Sequence, residues 1–147
     1  MPDPDYGKYL NRLNHMRDMC IFCKIAKKEE KAYIIYEDER TMAFLDINPL
    51  SKGHTLVIPK DHYETLIEMP QDVIRDIMNT VKEVCRKLNV FRPDGFNIIT
   101  NIGEVAGQVI KHAHVHVIPR YSDETSKPIE FGKPAKVELE EVYKSLI

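Results

Sequence analysis

Three histidines occupy alternate positions in His112-Ala113-His114-Val115-His116-Val117-Ile118, and no other stretch of the chain carries so much chemistry in so few residues. A period of two puts the imidazoles on one face of an extended strand and Ala113, Val115 and Val117 on the other. Neutral imidazole can act as nucleophile, general acid or base, or metal ligand. Crowding three of them lowers the pKa of each, since every positive charge opposes the next, so at least one is expected to stay neutral near pH 7. A neutral imidazole is nucleophilic, and a protonated neighbour can donate to an anion. The preceding loop adds the side chains of Asn101 and Gln108. Its two glycines let backbone N–H groups come close to a ligand. Together these groups suit attack on a phosphorus atom. The competing readings are an all-histidine metal face, or imidazoles merely satisfied by hydrogen bonds.

The elements that must position this strand are legible from periodicity. Tyr6, Tyr9, Leu10, Leu13 and Met16 fall at helical spacing, which predicts a helical extension over residues 1–19. A short helix or turn follows from Cys20 to Lys28. Strands are predicted at Tyr33–Tyr36, Thr41–Leu45 and Thr55–Ile58, with Asp38-Glu39 as a hairpin turn and a longer loop around Asn48-Pro49 and Lys52-Gly53. Val73, Ile74, Ile77, Val81, Val84, Cys85 and Leu88 form one apolar stripe, so Gln71–Leu88 reads as the major helix, with Pro70 at its start. Two more strands, Phe96–Thr100 and Ala113–Ile118, flank the loop, and a last helix is predicted from Val137 to Leu146. The pattern is an α+β fold. It has an antiparallel sheet of about five strands, one major helix and smaller N- and C-terminal helices. Residues 20–147 are expected to form a single domain that includes the C-terminal tail.

Composition narrows the setting. The 147 residues carry 21 Lys+Arg against 23 Asp+Glu, so no strong field draws the chain to nucleic acid or to an anionic membrane. There is no apolar run of about eighteen residues and no signal-peptide h-region. Three cysteines, an odd count, argue against a disulfide framework and fit a reducing compartment. A cytoplasmic location is expected.

The strand His112–Ile118 resembles the H-φ-H-φ-H-φ-φ signature of the histidine-triad (HIT) nucleotide hydrolases and transferases. The resemblance extends through Cys20–Ile25, Ala43–Ile47, Gly53–Lys60 and Asn101–Arg120, and covers roughly residues 20 to 121. It implies that His114 attacks the α-phosphorus of a nucleotide NMP-X, forming a covalent nucleotidyl-histidine that water then resolves. It further implies that His116 contacts the phosphate and assists the leaving group. His112 would support the nucleophile, partly through its backbone carbonyl, and His54 would complete the cluster. Gln108 and Asn101 correspond to phosphate-contacting residues, and Asp46 to the residue that hydrogen-bonds the ribose. Without the resemblance, Asp46 reads equally as a cap at a strand end. The related uridylyltransferase branch carries glutamine at the third histidine, so His116 points to hydrolysis.

Cys20 and Cys23 stand three residues apart. By themselves they are a redox pair, half a zinc site, or two small buried residues. A thioredoxin-type reading needs a βαβ context, which is absent, and zinc needs two more ligands. The resemblance implies His62 and His112 as those partners, which gives a closed structural Cys₂His₂ zinc site. His112 would then not be free to act as acid or base. Cys85, inside the helix stripe, reads as core packing and His15 as surface.

The expected activity is therefore hydrolysis of adenosine-containing NMP-X. Diadenosine polyphosphates compete as substrates with phosphoramidates such as AMP-lysine. The phosphoramidase branch carries serine at the position of Val109 and a tryptophan-containing tail. This chain has no tryptophan, which favours the dinucleotides. A magnesium ion would assist by binding substrate phosphates. A phosphorylase, a nucleotide-binding regulator with little turnover, and a zinc-binding interaction module are the alternatives. A homodimer is the expected assembly.

Overall fold

Residue alternation along the central strands decides which partner covers each side of the sheet. The computed structural model describes residues 5, 7–8, 17–123 and 129–147. Its strands are β1 (Ile34–Glu37), β2 (Thr41–Leu45), β3 (Thr55–Pro59), β4 (Gly95–Ile99) and β5 (Val115–Arg120), paired antiparallel in the order β1-β2-β3-β5-β4. Helices α1 (Ile21–Ala26), α2 (Gln71–Leu88) and α3 (Leu139–Leu146) accompany them. Ala43, Val57, Val115 and Val117 pack against Val73, Ile77, Val81, Val84 and Leu88 of α2. Met42, Phe44, Leu56 and Ile58 turn to the other face, where they meet Phe22 and Ile25 of α1. His114 and His116 alternate with Val115 and Val117, so they fall on the face of α1. That helix is only six residues long, which leaves room on the same face for a cleft.

Local chemistry sets the element ends. The Cys20 sulfur accepts the Cys23 N–H at 3.4 Å and so caps α1. In the β1–β2 turn Asp38 Oδ1 accepts the N–H groups of Arg40 and Thr41, at 3.0 and 2.8 Å. Gly53, at φ +94°, precedes β3. A Cβ there would lie 2.9 Å from the Leu88 side chain and 3.2 Å from Pro119, so only glycine lets the loop deliver His54 this close to the α2 core.

The major helix matches its predicted bounds. Other boundaries moved by one or two residues. The last helix starts at Leu139 instead of Val137, and α1 ends at Ala26. More consequentially, β5 begins at Val115 instead of Ala113, so His112 and His114 sit in an extended segment ahead of the sheet ladder. Continuing the β3–β5 register past Val57↔Val115 would bring Pro59 opposite Ala113, and proline has no N–H to donate. The Ala113 N–H turns instead to the Tyr63 carbonyl at 2.6 Å. Residues 7–8 and 17–19 are helical, whereas the stripe Tyr6, Tyr9, Leu10, Leu13 and Met16, and also His15, lie outside the described residues. Cys85 packs, partly buried, against the α2 core as expected. Among the described residues no helix is long and apolar enough to cross a membrane.

Candidate active site

The extended segment and the start of β5 bring four imidazoles together, and the hydrogen bonds assign a tautomer to most of them. His114 Nδ1 lies 2.7 Å from the backbone carbonyl of His112. A carbonyl only accepts, so the proton is on Nδ1 and the lone pair of neutral His114 is on Nε2. His54 Nδ1 accepts the Leu50 N–H at 3.0 Å, so neutral His54 carries its proton on Nε2. That atom is 3.0 Å from His116 Nδ1 and 3.5 Å from Asp46 Oδ2. His116 therefore accepts at Nδ1 and bears its own proton on Nε2. One nucleophilic nitrogen and one N–H donor result, on imidazoles whose ring centroids are 5.0 Å apart.

Burial keeps this cluster neutral. It is the largest cause of a lowered pKa at His54, His114 and His116. His116 falls to about 4, with His114 and His54 adding repulsion. Asp46 pulls the other way on all three, more weakly than burial does. Phe22 sets its edge against the His114 ring at 5.2 Å and 90°, covering one side of that ring.

The polar residues expected around the phosphate divide. Asp46 caps the strand end: Oδ1 accepts the Asn48 N–H at 2.8 Å, while Oδ2 faces His54. It also borders a cleft of about 350 Å³ whose apolar wall includes Ile21, Ile25, Phe44 and Leu56. Gln108 is buried and staples its own loop. Its oxygen accepts the Gly103 N–H, and its nitrogen donates to the carbonyls of Glu64 and Ile110. Asn101 packs beside Gly107, where a Cβ would lie 3.3 Å from the amide nitrogen.

His112 belongs to a second cluster. Its Nε2 donates to the Pro59 carbonyl at 2.9 Å, so its lone pair is on Nδ1. Nδ1 lies 3.4 Å from Cys20 Sγ and 3.5 Å from Cys23 Sγ, and His62 Nδ1 lies 3.3 Å from Cys23 Sγ. All four donor atoms fall within 4.8 Å of one another. Zinc bonds of about 2.3 Å to sulfur and 2.0 Å to nitrogen at the tetrahedral angle give a sulfur–nitrogen edge of about 3.5 Å. The observed spacings fit, so these residues can hold a metal ion. Burial and the Cys20 sulfur push the Cys23 thiol up to about 12, a preference that a dication beside the sulfur would reverse. With both ring nitrogens turned to other partners, His112 meets His114 through its backbone carbonyl.

Asp46, His54 and His116 also bring donor atoms within 4.8 Å. There the proton on His54 Nε2 occupies the position a metal would need, so that group reads as a hydrogen-bond relay. Neither cluster suits magnesium, which takes oxygen ligands.

Sequence reasoning does not single out Phe22, the Leu50 amide or the Pro59 carbonyl as parts of this site. Phe22 lies inside the Cys20–Ile25 segment that carries part of the family resemblance. The backbone groups leave no trace in residue type.

Comparison with known proteins accords with this geometry. A family profile described as the HIT domain matches residues 27–123. An uncharacterized HIT-like protein of Methanocaldococcus jannaschii is 48% identical over 128 residues, 87% of this chain and 98% of that protein. An adenylylsulfatase of Arabidopsis thaliana is 42% identical over 71% of this chain and 54% of its own length. An adenosine 5'-monophosphoramidase of Candida albicans is 38% identical over 80% of this chain and 79% of its own. Among solved structures, a HIT-family protein from Bacillus subtilis superposes with a TM-score of 0.78 at 37% identity, covering 87% of this chain and 94% of that one. A zinc-bound histidine triad protein from Mycobacterium smegmatis gives 0.70 at 35%, covering 79% and 86%.

Proposed function

The chain belongs to the HIT family, and from that membership and the tautomers of its imidazoles we propose that it hydrolyses adenosine-containing NMP-X through a nucleotidyl-histidine. The observation that carries this reading is the 2.7 Å contact from His114 Nδ1 to the His112 carbonyl, which leaves the Nε2 lone pair for attack. Nε2 forms a bond to the α-phosphorus as the bond to X breaks, and X leaves with the bonding electron pair while the His116 Nε2–H donates a hydrogen bond to it. Water then attacks the same phosphorus, the bond to His114 Nε2 breaks, and the nucleoside monophosphate is freed as the water proton passes to X or to solvent. The base would lie against Ile21, Ile25, Phe44 and Leu56, with Asp46 accepting from the ribose hydroxyls. Asn101 and Gln108 sit in the loop that faces the phosphate in this reading, and Gln108 acts there by shaping the loop.

For X, Val109 supports dinucleoside polyphosphates. It is 85% exposed, with a methyl group where the phosphoramidase branch presents a hydroxyl. A second reading, a phosphoramidate or adenylyl sulfate, is favoured by the two named enzymes among the relatives. Incubation with diadenosine tetraphosphate, AMP-lysine and adenylyl sulfate, followed by chromatography, tests both. AMP is the expected product from at least one. No AMP from any would leave a nucleotide-binding protein, and ADP formed on adding inorganic phosphate would mark a phosphorylase.

The acid limb of kcat/KM reports the free enzyme. His114 must be neutral to attack, and its pKa is lowered, so activity should persist below pH 6.5, the ordinary imidazole value, before it falls. A limb centred above 6.5 would contradict the burial argument.

Cys20, Cys23, His62 and His112 would hold zinc with no open ligand position, so the ion supplies rigidity and no bound water for the reaction. A homodimer joined across sheet edges is proposed as well. β4 is an edge strand, and its outer backbone groups need cover. Sedimentation at micromolar concentration should give twice the 17.1 kDa chain mass, and a clean monomer would refute the dimer.

A further inference from the structure

His114 sits where the sheet no longer holds it. On one side the β3–β5 pairing ends at Val57↔Val115, and on the other the β4–β5 pairing ends at Ile99↔His116. The backbone of a residue asked to aim a nitrogen at phosphorus therefore lies beyond both ladders, although its side chain is only 9% exposed. Thr100, the first residue after β4, reaches across this gap. Its hydroxyl donates to the His114 carbonyl at 2.9 Å. The ring is fixed from the other end by the His112 carbonyl, and the intervening Ala113 N–H by the Tyr63 carbonyl at 2.6 Å.

We infer that Thr100 is a positioning residue for the nucleophile, its hydroxyl replacing the ladder bond that His114 lacks. The inference rests on the reading of His114 as the attacking group. A β-strand neighbour ordinarily offers a backbone N–H to such a carbonyl, and any residue type can do that. Here the donor is a side chain, so the role depends on residue type. Serine and threonine have a hydroxyl on a stem short enough to reach the adjacent strand, and valine has the same shape without the donor. Anchoring the His114 peptide holds its imidazole in line with the His112 carbonyl, which keeps the reactive lone pair on Nε2.

Thr100→Val and Thr100→Ser separate this role from packing. T100V is expected to lower kcat about three- to tenfold, the effect of one hydrogen bond, with KM unchanged because Thr100 touches no substrate. T100S keeps the donor and should recover most of the loss. Independently of turnover, the His114 Nδ1–H proton should exchange with solvent faster in T100V than in the unmodified protein when followed by NMR. In the unmodified protein the Thr100 hydroxyl proton should itself exchange slowly, a reading that survives if T100V fails to fold. Equal losses in T100V and T100S, an unchanged kcat in T100V, or a fast-exchanging Thr100 hydroxyl would each overturn the assignment. If the unmodified protein turns over none of the adenylylated compounds, the hydrolase reading fails, and the two proton-exchange measurements still decide whether Thr100 holds His114.

Discussion

Replacing His114 with alanine should abolish turnover of AMP-X, with a loss on the order of 10⁴-fold or more, since no other group supplies the attacking lone pair. Nucleotide affinity should change little, because His114 is not among the residues that line the apolar cleft. The imidazole is nearly buried against Phe22 and His116, so alanine leaves a cavity. Asparagine fills more of that space and keeps an amide donor for the His112 carbonyl. Both variants should therefore bind and fail to turn over. The direct measurement is peptide mapping after brief exposure to labelled substrate, in which the label should be on the peptide containing His114. A labelled peptide that lacks His114 would refute the mechanism, and residual rates within about tenfold of the parent would point to a role in binding only.

The second large effect concerns the Cys20–Cys23–His62–His112 cluster. Protein purified without chelator should contain about one equivalent of zinc per chain, and the double variant Cys20→Ser, Cys23→Ser should contain none. Stability should drop by several kcal/mol, on the order expected when a closed structural site is lost. An ion held there would tie the N-terminus of α1 to the segment that carries His114, and two of the four candidate ligands, Cys23 and His112, are buried. Chemistry should survive in whatever fraction folds, because the attacking atom is an imidazole nitrogen. Its rate should fall, since His112 then loses the contacts to both thiols that help steady the carbonyl that orients His114. Metal analysis by mass spectrometry together with thermal denaturation checks both halves. Less than about a tenth of an equivalent of zinc in the parent protein would return Cys20 and Cys23 to the reading of buried thiols.

Patterns that repeat locally were legible in the residues. The bounds of α2 follow from one apolar stripe with Pro70 before it, because a helix buries whatever recurs each 3.6 residues. The division of residues 114–117, with Val115 and Val117 on the helix face and His114 and His116 on the other, follows from a period of two. Only the fold could decide which partners those imidazoles meet. His112 and His114 differ by one alternation in the sequence. Yet one turns Nδ1 to two thiols brought from 92 and 89 residues away, and the other turns Nδ1 to its neighbour's carbonyl. The start of β5 is set from outside the strand, by Pro59 on the adjoining one, and the tautomer of His116 traces back through His54 to the amide of Leu50. Periodicity depends on side chains a residue or two apart, so the sequence by itself determined the strand, its histidine face and the helix behind it. Which nitrogen carries a proton depends on backbone donors and acceptors that every residue type shares, and so only the tertiary structure decided the tautomers of these imidazoles.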